Sequence, residues 1–244
     1  LVAEAGMGGR SDEVSLLAPD VVAVTPIFGE HIPILGKNVE EITLEKLKIL
    51  RPGVKVVSAA QGELVRSVMD RFDADIEFEG PDDSLQEANA AVGIAAARRY
   101  VGRSVTLKRR IWLAGRLTRV ELPSGQEWTV DSTVNLEGVQ AAFDFAHRSG
   151  GDVDFVVVSA PDDKDVPRTR DWLNALQGYE RWVPVIPPNA EHLPYSATLW
   201  QRPLMTWSQA LPLLDSKRRV LAIGSWSFMS AVLDYLEIDC ARAF

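Results

Sequence analysis

Leu1-Val2-Ala3-Glu4-Ala5-Gly6-Met7-Gly8-Gly9-Arg10-Ser11-Asp12 opens the chain as a short apolar run that reaches one carboxylate and then breaks into a glycine-rich turn. That order of residues reads as a buried strand delivering Glu4 to a phosphate or a metal ion. The plain alternative is an ordinary junction between a strand and a loop. Beyond it, Val21 to Thr25 is a second apolar run after the turn residues Pro19-Asp20. A loop carrying Glu30 and His31 then leads into a helix from Val39 to Leu50, which Arg51-Pro52-Gly53 stops. Val54 to Val57 is a third strand, and Gln61 to Phe72 a helix with Leu64, Val65, Val68 and Met69 on one face. Strand, helix, strand is the pattern of a parallel sheet with helices on its faces.

Gly80-Pro81-Asp82-Asp83-Ser84 is the clearest punctuation, and Ser84 or Asp83 is placed to cap an alanine-rich helix from Gln86 to Tyr100. A domain boundary is expected near Arg109 to Trp112, after the charged Lys108-Arg109-Arg110, giving domains of residues 1–110 and 111–244. The second half repeats the α/β rhythm. Thr118 to Leu122 and Glu127 to Val130 flank Pro123-Ser124-Gly125-Gln126 as a hairpin. A helix follows from Gly138 to Ala146, a strand from Val153 to Ser159, a helix from Val166 to Leu176 and a strand from Trp182 to Ile186. After a proline-rich loop from Pro187 to Pro203 come a helix from Trp207 to Leu214, a buried strand from Val220 to Ile223 ending at Gly224-Ser225, and a helix from Phe228 to Leu236.

Composition narrows the function classes. The 244 residues are 46% hydrophobic and 25% charged, which suits a soluble globular protein of one or two domains with a sizeable core. A net charge of -8 and a pI near 5.0 argue against a broad nucleic-acid or anionic-membrane surface, while leaving room for a local phosphate pocket. Cys240 is the only cysteine, so a disulfide framework and a cysteine-built zinc site are excluded within one chain, and a reducing compartment is expected. No apolar run approaches the roughly 20 residues that span a bilayer. The first residues lack a basic start and a small-residue cleavage site, so the chain reads as cytoplasmic.

The opening stretch resembles the Glu-Val-Gly-Leu-Gly-Gly-Arg-Leu-Asp signature of folylpolyglutamate synthases and dihydrofolate synthases, within the Mur ligase superfamily. Further blocks follow in the family's order: Phe28-Gly29-Glu30-His31 with Leu35-Gly36, Glu41-Ile42-Thr43-Leu44-Glu45-Lys46, Arg51-Pro52-Gly53-Val54 with Val56-Val57, then Ala88-Asn89-Ala90-Ala91. Gly115-Arg116, Asp131 to Asn135, Asp163-Lys164-Asp165 and Gly224-Ser225 continue the series. The resemblance is strong over the first sixty or so residues and patchier afterwards. It implies a partial central α/β domain holding ATP and metal over residues 1–110, then a Rossmann-like α/β domain over 111–244.

It also implies chemistry: ATP- and Mg2+-dependent formation of an amide between a small-molecule carboxylate and an amino acid, glutamate first. Transfer of the γ-phosphoryl group activates the carboxylate while metal ions spread the phosphate charge. Glu4 matches a magnesium ligand and His31 a ligand of the second metal, here in Glu30-His31 where the family usually has Asp-His. Lys46 matches a lysine that the family carbamylates, turning a cation into an oxygen ligand; otherwise it is a solvated partner for Glu41 or Glu45, and Lys48 points to a different face. By the same matching Asn89, Arg116 and Asp131 belong to the nucleotide and Ser225 to the incoming glutamate, the plain alternatives being a surface arginine and an ordinary strand-end serine.

Two departures stand out. The family's Asp-Gly-Ala-His-Asn-Pro reads Asp131-Ser132-Thr133-Val134-Asn135-Leu136, and valine donates no hydrogen bond. Either another residue does the histidine's work or substrate handling differs. No Gly-x-x-x-x-Gly-Lys-Ser/Thr phosphate loop occurs in the sequence. Three expectations compete: a fragment of a longer ligase, one subunit of a split ligase whose partner carries the phosphate loop, or a non-catalytic binding or assembly relative.

Overall fold

The computed structural model describes residues 1–32, 34–80, 85–107, 113–148, 151–188, 190 and 193–239. The caps expected at Asp83 or Ser84, the boundary residues 109–112 and Cys240 lie outside them. The chain divides into two compact units, Leu1–Arg109 and Arg110–Phe244.

The first unit holds a parallel sheet of β1 (Val21–Val24), β2 (Val54–Ser58) and β3 (Ala74–Phe78), in that order. Successive side chains of a strand face opposite ways, and β2 uses both faces. Val54 and Val56 pack with Leu47 of α1 (Val39–Leu47) and with Val65, Val68 and Met69 of α2 (Glu63–Met69). Val57 faces the other way, onto Val92 and Ala95 of α3 (Leu85–Val101). A strand covered on both faces reads as the continuous apolar run it is. Asn38 caps α1, its side chain accepting from Glu41 N at 2.9 Å.

Two readings of this half are corrected. Residues 1–5 form no strand, and Leu1 and Val2 are exposed. An apolar run becomes a strand only where a neighbour accepts its ladder hydrogen bonds, and none of the described strands pairs with it. Conversely, β3 went unanticipated because Ala-Asp-Ile-Glu-Phe carries a carboxylate at every second position. Asp75 pairs with Arg99 and Glu77 with Arg98, both from α3, so the polar positions are matched by charge.

The second unit is a six-stranded sheet in the order β4 (Thr118–Glu121), β5 (Glu127–Asp131), β9 (Arg219–Gly224), β6 (Phe155–Ser159), β7 (Trp182–Ile186), β8 (Met205–Thr206). Only the β4–β5 hairpin is antiparallel. From β5 the chain runs through α4 (Leu136–Arg148) to β6 and through α5 (Val166–Gln177) to β7. The proline-rich stretch, expected to be loop throughout, contains α6 (Ala197–Trp200), capped by Ser196. After β8, α7 (Trp207–Leu214) carries the chain back to β9 between β5 and β6, and α8 (Trp226–Tyr235) follows. Alternation again separates two cores: Val220 and Ala222 pack with Trp207, Phe228 and Met229, whereas Leu221 and Ile223 pack with Val139, Phe143 and Leu173. The late insertion of β9 sets the carboxyl ends of β5, β9 and β6 side by side at a reversal of strand order, the place where open α/β sheets bind ligands.

Candidate functional sites of the two units

In the first unit the loop from the carboxyl end of β1 to α1 carries Glu30 and His31. Gln61 anchors its start, accepting from Ile27 N at 3.0 Å and donating to Thr25 O at 3.0 Å and Ser58 Oγ at 3.1 Å. His31 sits in the left-handed region at φ 52°. Lys46, in the last turn of α1, donates to Glu30 Oε1 at 2.8 Å, and His31 Nε2 lies 4.0 Å from Glu30 Oε2. All three side chains are about three-quarters buried. The partner of Lys46 is therefore Glu30, not the helix carboxylates Glu41 and Glu45.

The glycine turn reaches the same helix. A Cβ on Gly9 would lie 2.2 Å from the Lys46 carbonyl oxygen, so only glycine lets the turn touch α1 there. Arg10 N then donates to Glu45 O and Ser11 N to Glu45 Oε1, each at 3.1 Å. Asp12 closes the turn on itself, and the N–H groups of Met7, Val14 and Gly6 hold its carboxyl below the usual range. Glu4 stands apart: it is exposed, and among the described residues no ion pair or hydrogen bond joins it to His31 or Lys46. Asn89 is exposed on α3, and Lys48 is exposed at the end of α1.

As a donor for magnesium, the Glu30 carboxylate fits an ion that keeps most of its waters, whereas the His31 imidazole offers a nitrogen that suits softer divalent ions better. Lys46 as an ammonium fits no such ion, because a cation repels one. Among the described residues no three His, Cys, Asp or Glu side chains converge on a metal position.

In the second unit, the turn Gly115-Arg116-Leu117 is fastened to the end of β5. Gly115 and Leu117 both have positive φ, 78° and 42°. Asp131 Oδ2 accepts from Leu117 N at 2.7 Å, Ser132 N donates to Gly115 O at 2.8 Å, and Arg116 Nη1 donates to Ser132 O at 3.0 Å. Asp131 is 6% exposed. Burial pushes its carboxyl up to about 6, against the Leu117 N–H and the Arg116 charge, which pull it down. The neighbouring Ser132 hydroxyl is buried without a hydrogen-bond partner among the described residues.

Ser225 lies across the sheet edge. Its side chain caps α8 by accepting from Phe228 N, and its own N–H donates to Ser159 O at 2.8 Å. Ser159 Oγ is 3.3 Å from the Tyr195 hydroxyl. Val134 turns into the core around α4 and α5, and Asn135 accepts from Gly138 N at 2.7 Å at the start of α4. The structure thus brings His31 to Lys46 through Glu30, and Arg116 to Asp131. Sequence reading missed Gln61, which bridges two strand ends, and Trp226, whose ring lies under Arg116. Only the adjacency of Trp226 to Gly224-Ser225 hinted at it.

Parallel α/β sheets with polar groups gathered at carboxyl strand ends define an α/β architecture with a candidate ligand site in each unit, and known proteins share the fold. No family model matches the chain. A dihydrofolate synthase/folylpolyglutamate synthase of Bacillus subtilis is 34% identical over 89 residues, 36% of this chain and 20% of that protein. A folylpolyglutamate synthase of Mycobacterium tuberculosis, solved with ADP and AMPPCP, superposes with a TM-score of 0.74 at 20% identity, covering 96% of this chain and 68% of that one. A bifunctional folylpolyglutamate synthase/dihydrofolate synthase with Mn, AMPPNP and L-glutamate bound gives 0.69 at 20% identity, over 96% and 66%. The chain therefore has the fold of folylpolyglutamate synthases and resembles them in sequence, and its sequence match spans a fifth of the Bacillus protein's length.

Proposed function

We propose that this chain carries the metal-side and part of the nucleotide-side residues of an ATP-dependent ligase that joins a carboxylate to an amino acid, glutamate first, through an acyl phosphate. The observation that carries this reading is the docking of the Gly8-Gly9 turn onto the carbonyl of Lys46, with Lys46 facing Glu30 and His31. It ties the family-like signature to the one lysine that the family modifies. In this reading Glu4, Glu30 and His31 would hold a magnesium ion, and Lys46, once its ammonium has lost a proton and its amine has added dissolved CO2 with loss of a second proton, would leave Glu30 and offer a carbamate oxygen. The bound ion supplies charge neutralisation at the transferring phosphoryl group. By the family matching, Asn89, Arg116 and Asp131 are each nucleotide residues in this reading, and Ser225 is a residue for the amino acid. The phosphate loop comes from a partner or from a longer form of the chain.

A second reading, a non-catalytic binding or assembly subunit, is favoured by Val134 in place of the family histidine. One experiment separates the two. The chain is combined with a portion bearing a phosphate loop, and ADP and phosphate release is followed with Mg2+, glutamate and a panel of folate-like acids. The ligase reading expects glutamate-dependent release that Lys46→Ala abolishes and a small added carboxylate partly restores. A stable complex that releases no phosphate with any acid and amine, and is indifferent to Lys46→Ala, establishes the binding subunit instead.

A further inference from the structure

Trp226 is an aromatic side chain left half exposed, at 52%, on the first residue of α8. Few large apolar groups described in the second unit are so open, and this one is not idle. The Arg116 guanidinium carbon lies 5.0 Å from its ring centroid, and the Gly115 backbone rests on the same ring, where a Cβ would come 3.5 Å from Cζ3. Met229 and Leu233 of α8 meet the same side of Gly115, within 3.7 Å of that Cβ position. The guanidinium is thus set between an indole and the Ser132 carbonyl that accepts from Nη1 at 3.0 Å.

We infer that Trp226 is a positioning residue, which holds the Arg116 guanidinium at the carboxyl end of β5 in the orientation that an anionic group of the ligand requires. The inference rests on the proposed nucleotide role of Arg116. A guanidinium is a planar fork of donors, and a fork already fixed in its plane loses less freedom when it meets a phosphate. A ring supplies that plane without competing for donors, since a π face attracts the cation but accepts no hydrogen bond along the fork's edge. Half exposure has a purpose here: a fully buried indole would carry Arg116 away from the sheet edge.

The test follows the Arg116 Nε–H signal by NMR, assigned by its disappearance in Arg116→Lys, in the whole chain titrated with Mg-ADP to millimolar concentration. In the wild type the signal shows hindered rotation and shifts with ADP. Trp226→Ala is expected to release that rotation and weaken ADP about two- to fivefold, as an exposed cation–π contact warrants, while Trp226→Phe keeps both. A thermal melt shows both variants folded, because the ring is half in solvent. Unchanged rotation or unchanged ADP affinity in Trp226→Ala, with Arg116→Ala weakening ADP, overturns the positioning role alone. ADP affinity that is indifferent to Arg116→Ala overturns the nucleotide reading of Arg116, and the inference with it.

Discussion

Replacing Asp131 by asparagine tests the electrostatics of the turn at the end of β5. The carboxyl is 6% exposed and titrates near 6 in the folded chain against an ordinary value of 3.8, chiefly through burial. A raised folded value means that the native state holds the proton more tightly than the unfolded chain between those limits. Stability is then greatest below about pH 4 and falls as pH rises towards 6, levelling off above it. Two pH units at about 1.4 kcal/mol each give a loss on the order of 3 kcal/mol. The asparagine side chain keeps an oxygen for the Leu117 N–H and the same shape but does not ionise, so the variant lacks this slope. All seven tryptophans lie at or beyond residue 112, so fluorescence-monitored urea denaturation reports the second unit selectively. The expected result is a wild-type curve that drops below the Asp131→Asn curve by up to about 3 kcal/mol between pH 4 and pH 7. Parallel pH dependences in the two proteins refute the burial argument.

Two further outcomes concern the first unit. Gly9→Ala sets a methyl 2.2 Å from the Lys46 carbonyl, so the turn must leave α1 and lose the donations of Arg10 N and Ser11 N to Glu45. Local protection of residues 6–12 in hydrogen exchange should fall by about 1–3 kcal/mol, whereas Gly62→Ala, with open space around it, should change little; equal exchange in both variants contradicts the docking. Gln61→Ala removes three hydrogen bonds at the start of the β1–α1 loop and should speed exchange across residues 25–32 at a cost of about 1–2 kcal/mol, with the Trp fluorescence transition of the second unit unmoved.

Fold class was legible because most strands here are buried on both faces. Such strands appear as unbroken apolar runs, and the run from Trp182 to Ile186 is the strand β7 residue for residue. Where a strand's outer face is satisfied by charge, the run dissolves into alternation: β3 is invisible to that rule because Arg98 and Arg99 meet its carboxylates from a helix more than twenty residues on. The opening stretch fails in the opposite direction. Leu1-Val2-Ala3 has the composition of a strand, but a strand is a pairing, and composition alone does not supply a neighbour.

The site residues follow the same division between local and distant causes. The glycine turn was readable, since glycines before a capping aspartate announce a tight bend. What the bend touches was not, because contact with the Lys46 carbonyl depends on how α1 packs. Lys46 itself illustrates the limit: periodicity offers Glu41 and Glu45 as partners along the helix, and the observed partner, Glu30, is sixteen residues away in a loop. The folylpolyglutamate synthases that the sequence resembles usually have aspartate at that position. Glutamate extends the carboxylate by one methylene, and the added reach suits a hydrogen-bonded contact of 2.8 Å with Lys46 Nζ while the second oxygen stays 4.0 Å from His31. One carboxylate thereby links a loop imidazole to a helix amine. That linkage makes Glu30 the residue on which any change in the charge of Lys46 first acts.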